Sequence, residues 1–189
     1  MKKITIALLL TILASPVLAE NNFSAEFLLG IADQKSEIVD EFNASTDDTS
    51  IGIRGTYIVN KYFGVELAYQ DNGESSTTVF NDTIKIGSTE KKLGIKGMYP
   101  LGNGISFIGR LGASFWDYDL KFPEQNEHYK SDGTDLYYGV GVEYALNEQF
   151  YAGVEYTITD MDGKLDGDAS DIKLENEAKN IAIYVGMTF

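Results

Sequence analysis

The chain has no cysteine, which excludes disulfides, thiol nucleophiles and cysteine-ligated metals. It has only three prolines, so little interrupts long strands. Its one histidine, His128, cannot supply a histidine cluster for a metal. Cations are outnumbered, 15 Lys and Arg against 29 Asp and Glu, for a formal charge of -14. A surface of that sign repels a nucleic-acid backbone, so nucleic acid is not an expected partner. No apolar run reaches the ~20 residues of a membrane-spanning helix. The longest, residues 4–13, follows the basic start Met1-Lys2-Lys3 and precedes the small-residue site Val17-Leu18-Ala19. That is the layout of a secretory signal peptide, assigned to residues 1–19. Residues 20–189 are then one domain.

What is present is glycine (19), tyrosine (12) and phenylalanine (10), a composition that suits strands. The end of the chain shows how they are used. Ile181, Ile183, Val185, Met187 and Phe189 alternate with small or amphipathic residues. Period-two alternation makes a strand with two unlike faces. An apolar strand that stops on an aromatic carboxy-terminus has the character of the closing strand of a bacterial outer-membrane barrel. Tyr184, Val185, Met187 and Phe189 are the expected signal by which barrel-assembly machinery engages it.

The same period runs through eight segments: 22–34, 49–59, 62–72, 84–99, 105–118, 134–144, 150–159 and 178–189. The connections alternate in length. Asn60-Lys61, 100–104 and 145–149 are short turns, whereas 35–48, 73–83, 119–133 and 160–177 are long and polar. Alternating short and long connections predict periplasmic turns and extracellular loops. The fold class expected is all-β: an eight-stranded antiparallel up-and-down transmembrane β-barrel. A weak internal repeat agrees, since 51–57 (IGIRGTY) echoes 93–99 (LGIKGMY), each with one inward cation and one outward tyrosine.

The two faces decide the surroundings. Opposite the apolar face lie Glu26, Gly30, Arg54, Glu66, Lys96, Arg110, Gly112, Glu143, Gly153 and Glu155. A soluble lipocalin-like barrel puts its apolar face inside. Charges of both signs opposite an apolar belt instead place the belt in lipid and the charges in the lumen. Tyr57, Phe63, Tyr99, Phe107, Tyr144 and Phe150 fall near the short turns. Tyr69, Phe115, Tyr138 and Tyr156 fall near the long loops. Two aromatic sets at opposite strand ends are interfacial girdles. The expected location is the cell outer membrane of a Gram-negative bacterium, after Sec-type export and cleavage. Outer-membrane lipid and lipopolysaccharide are then neighbours by necessity.

Residues 64–69 (GVELAY), 95–100 (IKGMYP), 110–116 (RLGASFW), 141–145 (GVEYA) and 153–156 (GVEY) resemble, in order and spacing, the transmembrane domain of outer membrane protein A. The resemblance implies a lumenal network in which acids and bases pair to close or gate the barrel. Glu66, Lys96 and Glu143 match its positions. The family's arginine two residues before Glu155 is absent, because Gly153 stands there. Arg54 or Arg110 is the expected substitute, and the gap would widen the lumen. The predicted lumenal network is thus Arg54, Glu66, Lys96, Arg110, Glu143 and Glu155. The family's peptidoglycan-binding domain is not expected here.

The net charge sits in the loops. Asp160, Asp162, Asp166 and Asp168 hint at calcium, but no register of the twelve-residue calcium loop fits. No metal, cofactor or catalytic residue is assigned. His128 and Ser131 are close enough in sequence to suggest the lipid-cutting pair of some small barrels, yet no acid can be placed to orient the histidine. The function expected is structural and surface-interacting, with a ligand met by the four loops. A narrow porin-like channel gated by the ion pairs is the alternative, and a lipid-modifying enzyme ranks third.

Overall fold

The computed structural model describes residues 22–38, 42–79, 82–122, 127–164 and 173–189. Residues 1–19 lie outside them. Eight strands, β1 (Phe23–Ile38), β2 (Phe42–Asn60), β3 (Phe63–Val79), β4 (Asp82–Gly102), β5 (Ile105–Phe122), β6 (Glu127–Ala145), β7 (Phe150–Lys164) and β8 (Lys173–Thr188), follow one another around a closed antiparallel barrel. Each strand pairs with its neighbours in sequence, and β1 with β8 closes the ring. At the seam Val185 lies opposite Phe27 and Met187 opposite Ala25. The Phe189 amide donates to the Phe23 carbonyl at 2.7 Å. Closure leaves no strand edge unpaired, which a lipid-exposed sheet requires.

The lipid-facing side follows the expected parity. Phe27, Leu29 and Ile31 on β1, Ile51, Ile53 and Tyr57 on β2, and Ile181, Ile183 and Val185 on β8 are all exposed. Between the two aromatic girdles each strand presents about ten residues, which at membrane-barrel tilt span ~25 Å, one apolar bilayer thickness. The periplasmic turns are tight. In the second, Gly102, Asn103 and Gly104 all have positive φ (99°, 52° and 79°), a conformation glycine adopts without strain.

The long loops are shorter than expected. Their flanks continue as strand, so β5 runs on to Phe122 and β6 begins at Glu127. The reason is visible along β5. Leu111 and Phe115 face lipid, but beyond them Trp116, Tyr118 and Leu120 are buried inside while Asp117 and Lys121 face out. Ile86 on β4 and Met161 on β7 are buried in the same upper part of the barrel. The apolar residues keep their period of two and change faces. Past the lipid, the wall meets water, so its outside turns polar and its inside apolar. A reading with one fixed apolar parity takes these stretches for loops.

Candidate functional site in the lumen

The inward positions of the lower barrel are charged, and the barrel's curvature brings strands far apart in sequence to one level. Arg54 on β2 donates through Nη1 to Glu26 at 2.6 Å and through Nη2 to Glu155 at 2.6 Å. Arg110 on β5 donates through Nε to Glu155 at 2.9 Å, through Nη2 to Glu26 at 3.2 Å, and through Nη1 to Glu66. Lys96 on β4 joins Glu26 at 2.9 Å to Glu143 at 2.7 Å. The side chains of Glu26, Arg54, Glu66, Arg110 and Glu155 are all 3 % exposed or less.

Three phenols complete the layer. Tyr137 donates to Glu66 at 2.8 Å, Tyr151 to Glu26 at 3.0 Å and Tyr184 to Glu143 at 3.2 Å. Lys96 also sits 5.0 Å from the centre of the Tyr151 ring, and Arg110 5.7 Å from that of Tyr184. The six residues expected in the network therefore meet. Glu26, at their centre with all three bases around it, was visible as an inward acid but not as a member.

Gly153 does not widen the lumen. A Cβ there would lie 2.5 Å from the Tyr184 hydroxyl oxygen and against its ring. The space given up by the missing arginine is filled by Tyr184, directly opposite Gly153 on β8. The arrangement repeats one step lower, where Tyr151 lies across from Gly186 and occupies the space over it. Tyr184, expected to belong to the closing-strand signal, points into the lumen, while Val185 faces lipid.

A second cluster, outside the six residues the sequence indicates, lies nearer the outside. Glu90 receives hydrogen bonds from Asn72 at 2.9 Å, Ser114 at 2.8 Å and Thr159 at 2.8 Å, and pairs with Lys92 at 3.1 Å. Lys92 donates to Gln70 at 3.0 Å, and Ser88 to Gln34 at 3.0 Å. Counting inward parity from Lys96 back along β4 reaches Lys92 and Glu90, so the signal was in the sequence. At the periplasmic end a hollow of about 170 Å³, lined by Lys96, Glu143, Tyr151 and Gln149, opens toward the short turns.

Outside the lipid level, Glu74 accepts hydrogen bonds from Lys121 at 2.5 Å and Lys85 at 3.0 Å. These bonds hold its carboxyl below the ordinary carboxylate range. A lowered folded-state pKa gives a contribution present above the unfolded value and lost as pH falls through the folded one. In water the contribution is small. A side-chain NMR titration of Glu74 is expected to show the depressed midpoint, and Lys121→Ala to move it up; an unmoved midpoint would remove Lys121 as the cause. Among the described residues no group of three or more acids or histidines could hold a metal ion.

A closed eight-stranded antiparallel barrel with lipid-facing apolar residues and a charged, filled lumen defines a small outer-membrane barrel protein. The sequence matches the outer membrane protein beta-barrel domain family over residues 5–189, and the chain belongs to that family, in the outer membrane. Similar solved structures include Neisserial surface protein A (TM-score 0.65, 14% identity, 89% of this chain and 97% of that one). OprG of Pseudomonas aeruginosa gives TM-score 0.60 at 20% identity, over 88% of this chain and 95% of the other. Ail of Yersinia pestis, solved with the heparin analogue sucrose octasulfate, gives 0.55 at 15% identity, over 89% and 99%. At these identities the likeness is one of fold. No curated protein matches the chain.

Proposed function

We propose that this protein is a structural outer-membrane barrel with a closed lumen, which acts at the cell surface through its four extracellular hairpins. The observation that carries the reading is the Glu26–Arg54–Arg110–Glu155 cluster, whose paired side chains meet across the lumen and are 3 % exposed or less. An eight-stranded barrel is just wide enough for its own side chains to fill. The hairpins beyond the lipid are continuations of the barrel wall, so they present outward charges such as Lys91, Asp117 and Asp160 on a firm support. That suits recognition of a surface ligand better than passage of solute. Lipopolysaccharide is the neighbour these outward charges would meet.

The basic start, apolar run and small-residue site of residues 1–19 support Sec-type export and cleavage after Ala19. Val185, Met187 and Phe189, on the seam strand, support engagement by the barrel-assembly machinery. Ser131 is buried inside the barrel, away from lipid, which counts against a lipid-modifying pair with His128.

Single-channel recording of the refolded protein in a planar bilayer tests the reading. The expected trace is silent with protein shown to be folded by its heat-dependent shift in gel mobility. Discrete openings in the unmodified protein would favour the channel alternative instead.

A further inference from the structure

Two clusters of bonded side chains occupy the lumen. The lower block is the charged network around Glu26, reached from the periplasm through the hollow at Lys96 and Glu143. The upper block is the Glu90 cluster with Lys92, Asn72, Ser114 and Thr159, and above it the buried Trp116, Tyr118 and Met161, with Ser75 and Ser131 among them. On β4, Lys96 and Glu90 are separated by roughly 20 Å of strand at the ordinary rise. Between them many inward positions are small, among them Gly52, Ala68, Gly94, Gly112 and Gly139, with Leu28 opposite Gly52 and Thr157 opposite Gly139. Tyr137 is also at this level, bonded down to Glu66, with the Lys92 ammonium 5.3 Å from the centre of its ring.

The two blocks differ in chemistry. The lower holds four acids against three bases and draws its cohesion from ion pairs. The upper is electrically balanced, with one acid and one base, and is held by neutral hydrogen-bond donors around Glu90. Among the described residues Glu90 is bonded to Asn72, Ser114, Thr159 and Lys92, and Lys92 to Gln70, so loss of a lower base does not unpair the upper acid.

We infer that the lumen carries two closures in series, each held by its own hydrogen-bonding partners, so that breaking the lower network opens the barrel to the periplasm alone and does not create a pore. The inference rests on the closed-lumen reading and adds a second barrier to it. Water entering from below would stop at the Glu90 cluster, whose hydrogen-bonding groups are already satisfied by one another, and at the large buried side chains of Trp116 and Tyr118 beyond it.

The absence of native cysteine supplies a clean test. Ala182→Cys places a thiol on the inner face of β8 at the upper edge of the lower network, opposite Glu155 and one inward step above Tyr184, where Ala182 is buried. The protein is reconstituted in proteoliposomes of known orientation and treated with a charged, membrane-impermeant thiol reagent from one side at a time. With both closures intact the thiol is expected to stay unlabelled from either side. Adding Lys96→Ala together with Arg110→Ala, which removes two of the three bases of the lower network, is expected to permit labelling from the periplasmic side only, with the planar bilayer still silent. Lys96→Met with Arg110→Met, which keeps the bulk and drops the charges, is the second variant should the alanine form fail to fold.

Ion conduction by the variant changed at Lys96 and Arg110 would overturn the second closure while leaving the closed wild-type lumen standing. Labelling of that variant from the outside would do the same. A thiol still protected from the periplasm would overturn the lower closure. Labelling in the background with both closures intact would instead overturn the closed-lumen reading on which the inference rests.

Discussion

Replacing Arg110 by alanine is expected to destabilise the folded barrel by ~3–5 kcal/mol, the range for removing one partner from a buried ion pair. Arg110 touches Glu26, Glu66 and Glu155, and its side chain is 1 % exposed. Its removal leaves three buried carboxylates with only Arg54 and Lys96 between them. Arg54 already serves Glu26 and Glu155 with both terminal nitrogens, and its Nε has no hydrogen-bond partner. What stays near Glu66 is that Arg54 Nε, 3.9 Å away and short of a hydrogen bond, and the neutral Tyr137 hydroxyl at 2.8 Å, so one arginine is left to balance three acids where two stood before.

Urea titration of the protein in lipid vesicles, followed by fluorescence of the single tryptophan, Trp116, measures the effect. Glu66→Ala is expected to cost less after Arg110→Ala than alone, because the first change has already removed its partner; the double-mutant cycle reads this coupling. A loss below ~1 kcal/mol, the range of solvent-exposed pairs, would mean that water already screens the network and that the lumen is wet.

The second large effect concerns a glycine. Gly112 on β5 faces the lumen, and a Cβ there would lie 2.5 Å from the Gly94 Cα, 2.6 Å from the Tyr137 ring and against the Leu93 carbonyl oxygen. Two of those neighbours are backbone and cannot rotate away. Gly112→Ala must push β4 from β5 or displace Tyr137 from its bond to Glu66. Overpacking of this kind costs ~1–3 kcal/mol, more where backbone is involved.

Gly109, on the same strand with its other face to the lipid, is the control. A Cβ there meets nothing within 4 Å. Gly109→Ala is expected to be neutral or slightly stabilising, because alanine has less backbone freedom to lose on folding. The same urea titration separates the two substitutions. Equal losses at both positions would show that strand propensity, and not lumenal space, sets the cost.

Both predictions depend on features the sequence discloses to different degrees. Parity along β5 is enough to put Arg110 and Gly112 inside and Gly109 and Leu111 outside. It is enough because a strand's side chains alternate strictly, whatever else the chain does. The same local rule gave the eight strands and the lipid face. It also held for the six lumenal charges, each of which points inward. What changed at the upper end of β5 is the side the apolar residues take, since Trp116, Tyr118 and Leu120 face in. There the rule still holds, but the solvent has changed from lipid to water.

Which inward groups touch is a different matter. Arg54 and Glu155 meet across the lumen although 101 residues separate them in the chain. That meeting is set by the number of strands and by the stagger accumulated around the ring, which no local pattern records. Tyr184 filling the space above Gly153 is of the same kind, as is the convergence of Asn72, Ser114 and Thr159 on Glu90. The sequence by itself determined the strand periodicity, the lipid-facing side and the inward placement of the charges, because these follow from alternation along one strand. Only the tertiary structure decided the partners, the sealing of the gap at Gly153 and the second cluster, because these depend on register between strands.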